Sequence, residues 1–211
     1  MKRTPLTALV VSVFTLLVLT SLSRAAVIYE YGTLVTGTAP AGLPSWATLT
    51  IEDYAPNQVK MTLQADLQGS DEFIRTLWLN FDPFVSVSLV SADTSGGSDV
   101  FSVNALSNGR NAPGGEQFDL EVNLPNAGLS RLTGTEWVSW VLQGSGLTAN
   151  HFLAKTYDKG LYYTMIHVQG IGYGDGSGKL SGLVVSQPGT IWLFALGITA
   201  IPPMMRRCRR G

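Results

Sequence analysis

Cysteine is almost missing from this chain: Cys208, near the C-terminus, is the only one in 211 residues, so no internal disulfide can form. Imidazoles are nearly as scarce, with only His151 and His167 present. There is no Gly-x-Ser-x-Gly elbow, no His-Glu-x-x-His pair and no phosphate loop. Catalysis needs a positioned base or nucleophile, and these absences leave few candidates for one. His167 lies in a strand-like run beside Val168 and reads as structural.

Basic charge is scarce where a globular body would sit. Lys2, Arg3 and Arg24 flank the first apolar segment, and Arg206, Arg207, Arg209 and Arg210 close the chain. Seven bases and all 15 acids remain between them, a formal charge of −8. Nucleic-acid binders cluster Lys and Arg on one face, so an acidic body argues against a nucleic-acid partner.

The ends are organised for export. Lys2 and Arg3 precede an apolar run from Leu6 to Leu22, followed by Ser23-Arg24-Ala25 with small residues where a signal peptidase reads. Residues 1–25 are expected to be a signal peptide cleaved after Ala25, the alternative being an uncleaved anchor. The other end runs from Val185-Ser186-Gln187-Pro188 through the apolar stretch Ile191–Ile201 to Pro202-Pro203 and the four arginines. Fourteen helical residues from Pro188 to Ile201 span only ~21 Å against a ~30 Å hydrocarbon core. An extended continuation through Met205 adds ~12 Å, which makes a marginal transmembrane anchor with its arginines on the cytoplasmic side. Cys208 beside them is expected to remain an unmodified thiol.

Between the ends the dominant period is two, as in half-buried strands. Thr48–Glu52 and Val59–Leu67 alternate around the turn Ala55-Pro56-Asn57-Gln58 and form a hairpin. Further strands are expected over Phe73–Phe81, Val85–Val90, a short Phe101–Val103, Phe118–Leu124, a run placing Val138, Trp140 and Leu142 on one face, Leu161–Val168 and Leu180–Val185. Asn108-Gly109 and Pro113-Gly114-Gly115 mark a loop, and Gly172–Gly178 a turn. Eight to ten short strands without a sustained helical period predict an all-β domain over residues 26–185. The expected form is a two-sheet antiparallel β-sandwich, jelly-roll-like, flanked by the signal helix and the C-terminal hydrophobic helix. About 160 residues bury enough surface to fold without disulfide or metal.

Three ligand chemistries deserve a test on the residues. Asp71-Glu72 and Glu52-Asp53 supply paired carboxylates of the kind glycoside hydrolysis uses. Sequence neighbours on a strand point to opposite faces, however, and the pairs read as solvated turn acids. The glycine-rich turn carries a single carboxylate, Asp175, too few for a calcium loop, and no cofactor is expected. Trp46, Trp78, Trp137 and Trp140 could form a sugar-stacking face, although core packing is the default for each.

The order of elements at the C-terminus, a proline motif, a short hydrophobic helix and terminal arginines, resembles the PEP-CTERM sorting signal of Gram-negative bacteria. Similar segments also carry the label of an ice-binding-protein C-terminal domain. The family's Val-Pro-Glu-Pro aligns with Val185-Ser186-Gln187-Pro188, where only the second proline matches. The body, through Ala47–Thr50, Phe81-Asp82-Pro83 and His167-Val168-Gln169-Gly170-Ile171, also resembles β-rich ectodomains found with such tails. The resemblance implies a membrane-anchored, then surface or extracellular protein of unassigned activity, processed by an exosortase-like enzyme at 186–211; with the catalytic motifs missing, a protein without enzymatic activity is expected. Its expected partner is exopolysaccharide in a biofilm matrix. A carbohydrate-binding or ice-binding-like module is the second expectation, and a secreted glycan-active enzyme the third.

Overall fold

The structure, a computed structural model, describes residues 25–82, 86–93, 102–112, 116–156, 160–172 and 175–185. The segment 1–24, the motif Ser186, Gln187 and Pro188, Cys208 and Arg206, Arg207, Arg209 and Arg210 lie outside them, as do Pro83 and Val85. Both expected flanking helices therefore lie there too. Among the described residues no helix is long and apolar enough to cross a membrane.

The described residues form eleven strands: β1 Ala26–Gly37, β2 Ala47–Ala55, β3 Gln58–Ala65, β4 Phe73–Leu79, β5 Ser88–Asp93, β6 Ser102–Asn111, β7 Gln117–Asn123, β8 Leu132–Thr133, β9 Trp137–Gln143, β10 Thr164–Ile171 and β11 Gly176–Val185. They make one antiparallel sheet in the order β5-β9-β3-β2-β1-β11-β10-β4-β7-β6, with β8 beside β4. The two edge strands, β5 and β6, come back into contact, so the sheet is nearly closed into a barrel. The all-β antiparallel class is as expected. The two separate sheets are not found, because hydrogen-bonded neighbours run without a break from one edge to the other. Period-two patterning specifies which side chains face inward and is the same for a sandwich and a barrel.

The hairpin at 47–65 forms as read, with Ala55 opposite Gln58 and Asn57 at φ 64° in its two-residue turn. Its inward residues Leu49, Ile51, Met61 and Leu63 are fully buried, as are Val138, Trp140 and Leu142 of β9, to within 1% exposure. Burying each such aliphatic side chain contributes about 1.5–3 kcal/mol.

Elsewhere the boundaries move. Asn108-Gly109, expected in a loop, lies within β6, where the pairing with β7 jumps between Ala105 and Arg110, a bulge that absorbs the turn signal. The turn after β10 is shorter than expected, because Gly176–Gly178 already pair with β10. β5 starts at Ser88, and all six of its residues are exposed. Asp119 of β7 is buried and accepts the Phe81 N–H at 3.2 Å.

One barrel mouth is plugged by a short 3₁₀ turn, Ala149–Leu153, between β9 and β10. Phe152 is fully buried there and packs against Phe81 at 6.0 Å between ring centroids. The Tyr29 hydroxyl of β1 donates to the Phe152 carbonyl, the Asp53 carboxylate of β2 accepts the Ala149 N–H, and the Asp82 N–H donates to the His151 carbonyl. Two strands, β1 and β2, and the segment after β4 are thereby tied across the mouth. Burial pushes the Tyr29 and Tyr31 phenols up, which keeps both protonated donors.

Candidate functional site

β7 leaves the edge of β4 after Asn123, and β8 returns to that same edge opposite Phe73 and Ile74. The excursion between them contains Asn126, a 3₁₀ turn at Gly128–Ser130 and Arg131. It stands as a wall beside the β10–β11 hairpin, and the space between them is a cavity of about 690 Å³. Arg131 lies with its guanidinium 4.3 Å from the centre of the Phe73 ring, and its Nε donates to the Asn126 carbonyl at 3.0 Å. A flat cation held against an aromatic face keeps its orientation and leaves its outer nitrogens available.

From the hairpin come Gln169 on β10 and Asp175 and Ser177 at the start of β11, while Asp71 approaches from the residues before β4. Among the described residues, the side chains of Asn126, Gln169, Asp175 and Ser177 and the outer nitrogens of Arg131 make no hydrogen bond. The cavity is thus lined by two carboxylates, two amides, a hydroxyl and a guanidinium whose capacity is largely unspent. Gly170 makes this possible. It sits at φ 77°, and a Cβ there would lie 2.0 Å from the Asp71 carbonyl oxygen, so any side chain would force the hairpin from the Asp71 segment.

Strand register extends the site along the outer sheet face. Thr76 of β4 lies opposite His167 of β10, which lies opposite Lys179 of β11, which lies opposite Thr36 of β1. Two smaller depressions continue the cavity: one of about 390 Å³ shares Asn126 and reaches Arg75, and one of about 300 Å³ shares Ser177 and reaches His167 and Lys179. Partial burial, with Lys179 and Arg75 nearby, holds the His167 imidazole below its ordinary range. Its ring stacks on Trp78 at 6.4 Å. The Trp78 indole donates to Glu121, which also accepts from Asn123.

The structure separates the other candidates. His151 lies in the mouth plug, where its Nδ1 accepts from the Thr148 N–H at 3.1 Å, and does not line the cavity. Trp46, Trp78 and Trp140 are buried and Trp137 is only half-buried, so they form no exposed stacking row. Trp78 is covered on the outer face by Phe118, Met165 and Ala112. Glu72 is not a solvated turn acid: it is 1% exposed and accepts the N–H groups of Ala41 and Gly69 at 2.8 and 3.0 Å. Asp71 is exposed at the cavity, so the adjacent pair is divided between a structural acid and a lining one. No group of three metal-ligating side chains occurs among the described residues. Ala25, the expected cleavage residue, immediately precedes β1, and its carbonyl accepts the Asp53 N–H.

Sequence reasoning missed Asn126, Arg131 and Gln169. Their only trace in the sequence is that Gln169-Gly170 leads into the glycine-rich turn; nothing local brings residue 131 to it. Comparison of the chain with protein-family models, curated proteins and solved structures returns no match.

Proposed function

We propose that this chain is an exported surface or matrix protein of a Gram-negative bacterium, non-enzymatic, whose barrel body binds extracellular polysaccharide. Its tail, with Ser186, Gln187 and Pro188 as sorting motif and Arg206, Arg207, Arg209 and Arg210 as cytoplasmic stop, holds it in the membrane until an exosortase-like enzyme processes it. The observation that carries the binding half of the reading is the cavity of about 690 Å³ lined by uncommitted polar side chains. A sugar presents adjacent hydroxyls, each both donor and acceptor. Planar carboxylate, amide and guanidinium groups pair with them two at a time. The size lies within the range of small-ligand sites, and the open, polar form suits a segment of a polymer better than an enclosed apolar molecule.

The export half is tested by topology. A reporter active only in the periplasm is expected to work when fused after Val185 and to fail when fused after Gly211 in the unprocessed chain. Activity at both positions refutes the anchor and with it the sorting role.

A further inference from the structure

The bases of the body are not spread evenly. Of its seven, Arg75, Arg131 and Lys179 all lie along the three linked depressions on the outer face of β4, β10 and β11. Among the described residues, the acids that line the same track are Asp71 and Asp175 alone. On a body of formal charge −8 this is a local reversal of sign.

The three cations are also held apart from one another. Arg75 lies at the β4 bulge beside Thr76, and Lys179 lies two strands away across His167. Neighbouring strands are ~4.8 Å apart, which puts these two backbones ~10 Å apart. Arg131 stands farther along, fixed over Phe73. Between the cations lie neutral amides, hydroxyls and the two carboxylates, which suit the hydroxyls of uncharged portions.

We propose that the polysaccharide bound on this track is anionic, with Arg75, Arg131 and Lys179 pairing to carboxylates carried at intervals along a chain otherwise rich in hydroxyls. This rests on the glycan-binding reading above and narrows it. A nucleic acid fits less well. A duplex carries one charge per ~1.7 Å of axis, and three widely spaced cations interrupted by Asp71 and Asp175 neutralise little of so dense a row of phosphates. An Arg guanidinium takes a carboxylate by two parallel hydrogen bonds, and Lys179 takes it as a point charge.

The test uses the purified full-length chain with polygalacturonate, with the same polymer fully methyl-esterified, and with duplex DNA. Binding is measured by biolayer interferometry at low and physiological salt. The acid form is expected to bind about tenfold or more tighter than the ester, with the advantage shrinking as salt rises. Arg75→Gln, Arg131→Gln and Lys179→Gln should each erode that advantage, and the triple variant should bind both polymers alike. Lys179→Gln removes a charge and no hydrogen bond, so it remains informative if Arg131→Gln loosens the wall. Equal binding of acid and ester, unchanged in the variants, overturns the charge assignment while the glycan reading stands. Binding of neither polymer overturns both, and DNA binding as tight as the acid polymer overturns the choice of a glycan.

Discussion

Glu72 offers a direct measure of how the structure departs from a surface reading of its acids. Its carboxylate reaches from the start of β4 to the β1–β2 connection through the Ala41 N–H and closes its own turn through the Gly69 N–H. The side chain folds over Gly69 so closely that a Cβ there would lie 2.4 Å from the Glu72 Cδ. Hydrogen bonds to a charged acceptor contribute about 1.5–3 kcal/mol each, less where water can replace the carboxylate. Ala41 is exposed, so Glu72→Ala is expected to lose roughly 2–4 kcal/mol rather than the full sum. At ~2–4 °C per kcal/mol for a domain of this size, the melting midpoint should fall by roughly 4–16 °C. Glu72→Gln keeps one acceptor and turns its amide nitrogen toward the other donor, so about half that loss is expected. Gly69→Ala should lower the midpoint as well. Calorimetry of the purified chain measures all three. A Glu72→Ala midpoint within ~2 °C of the parent, the range of ordinary surface substitutions, would refute the structural role.

His167 provides a pH test. Its folded-state pKa is lowered, so the folded protein disfavours the imidazolium and the unfolded chain does not. The stability it contributes is complete above the ordinary value near 6.5 and is lost as pH falls through the lower folded pKa. His167→Gln should therefore flatten the decline in melting midpoint below pH 6.5, and parallel curves for both proteins would reject the assignment. In the mouth plug, Phe152→Ala should cost about 3–5 kcal/mol by leaving a cavity beside Phe81, read as a lower urea midpoint at unchanged slope. Tyr29→Phe should cost only about 0.5–1.5 kcal/mol, since it removes one donor and little volume. Equal losses in the two variants would mean that the hydroxyl, and not the ring of Phe152, holds the plug.

Much of the barrel was legible in the chain because alternation is local. Leu49, Ile51, Met61 and Leu63 declare their inward face by spacing alone, and Pro56-Asn57 declares the turn between them. Acidity of the body and the lack of an internal disulfide are likewise properties of the sequence alone. Where the reading slipped, a longer-range partner had overridden a local signal. Asn108-Gly109 became a bulge because β7 continues on both sides of it, and Glu72 became a buried tie because Ala41, 31 residues away, needed an acceptor.

Whether the strands close into one sheet or divide into two was decided only in three dimensions, since both solutions bury the same alternating residues. The same holds for the cavity. Arg131 meets Phe73, and Asn126 lines one cavity with Gln169 and Ser177, because β7 and β8 share one edge of β4 and the chain must bow outward between them. No period or motif encodes that excursion; it follows from the pairing of strands distant in sequence, which sets what lies beside what on the outer face.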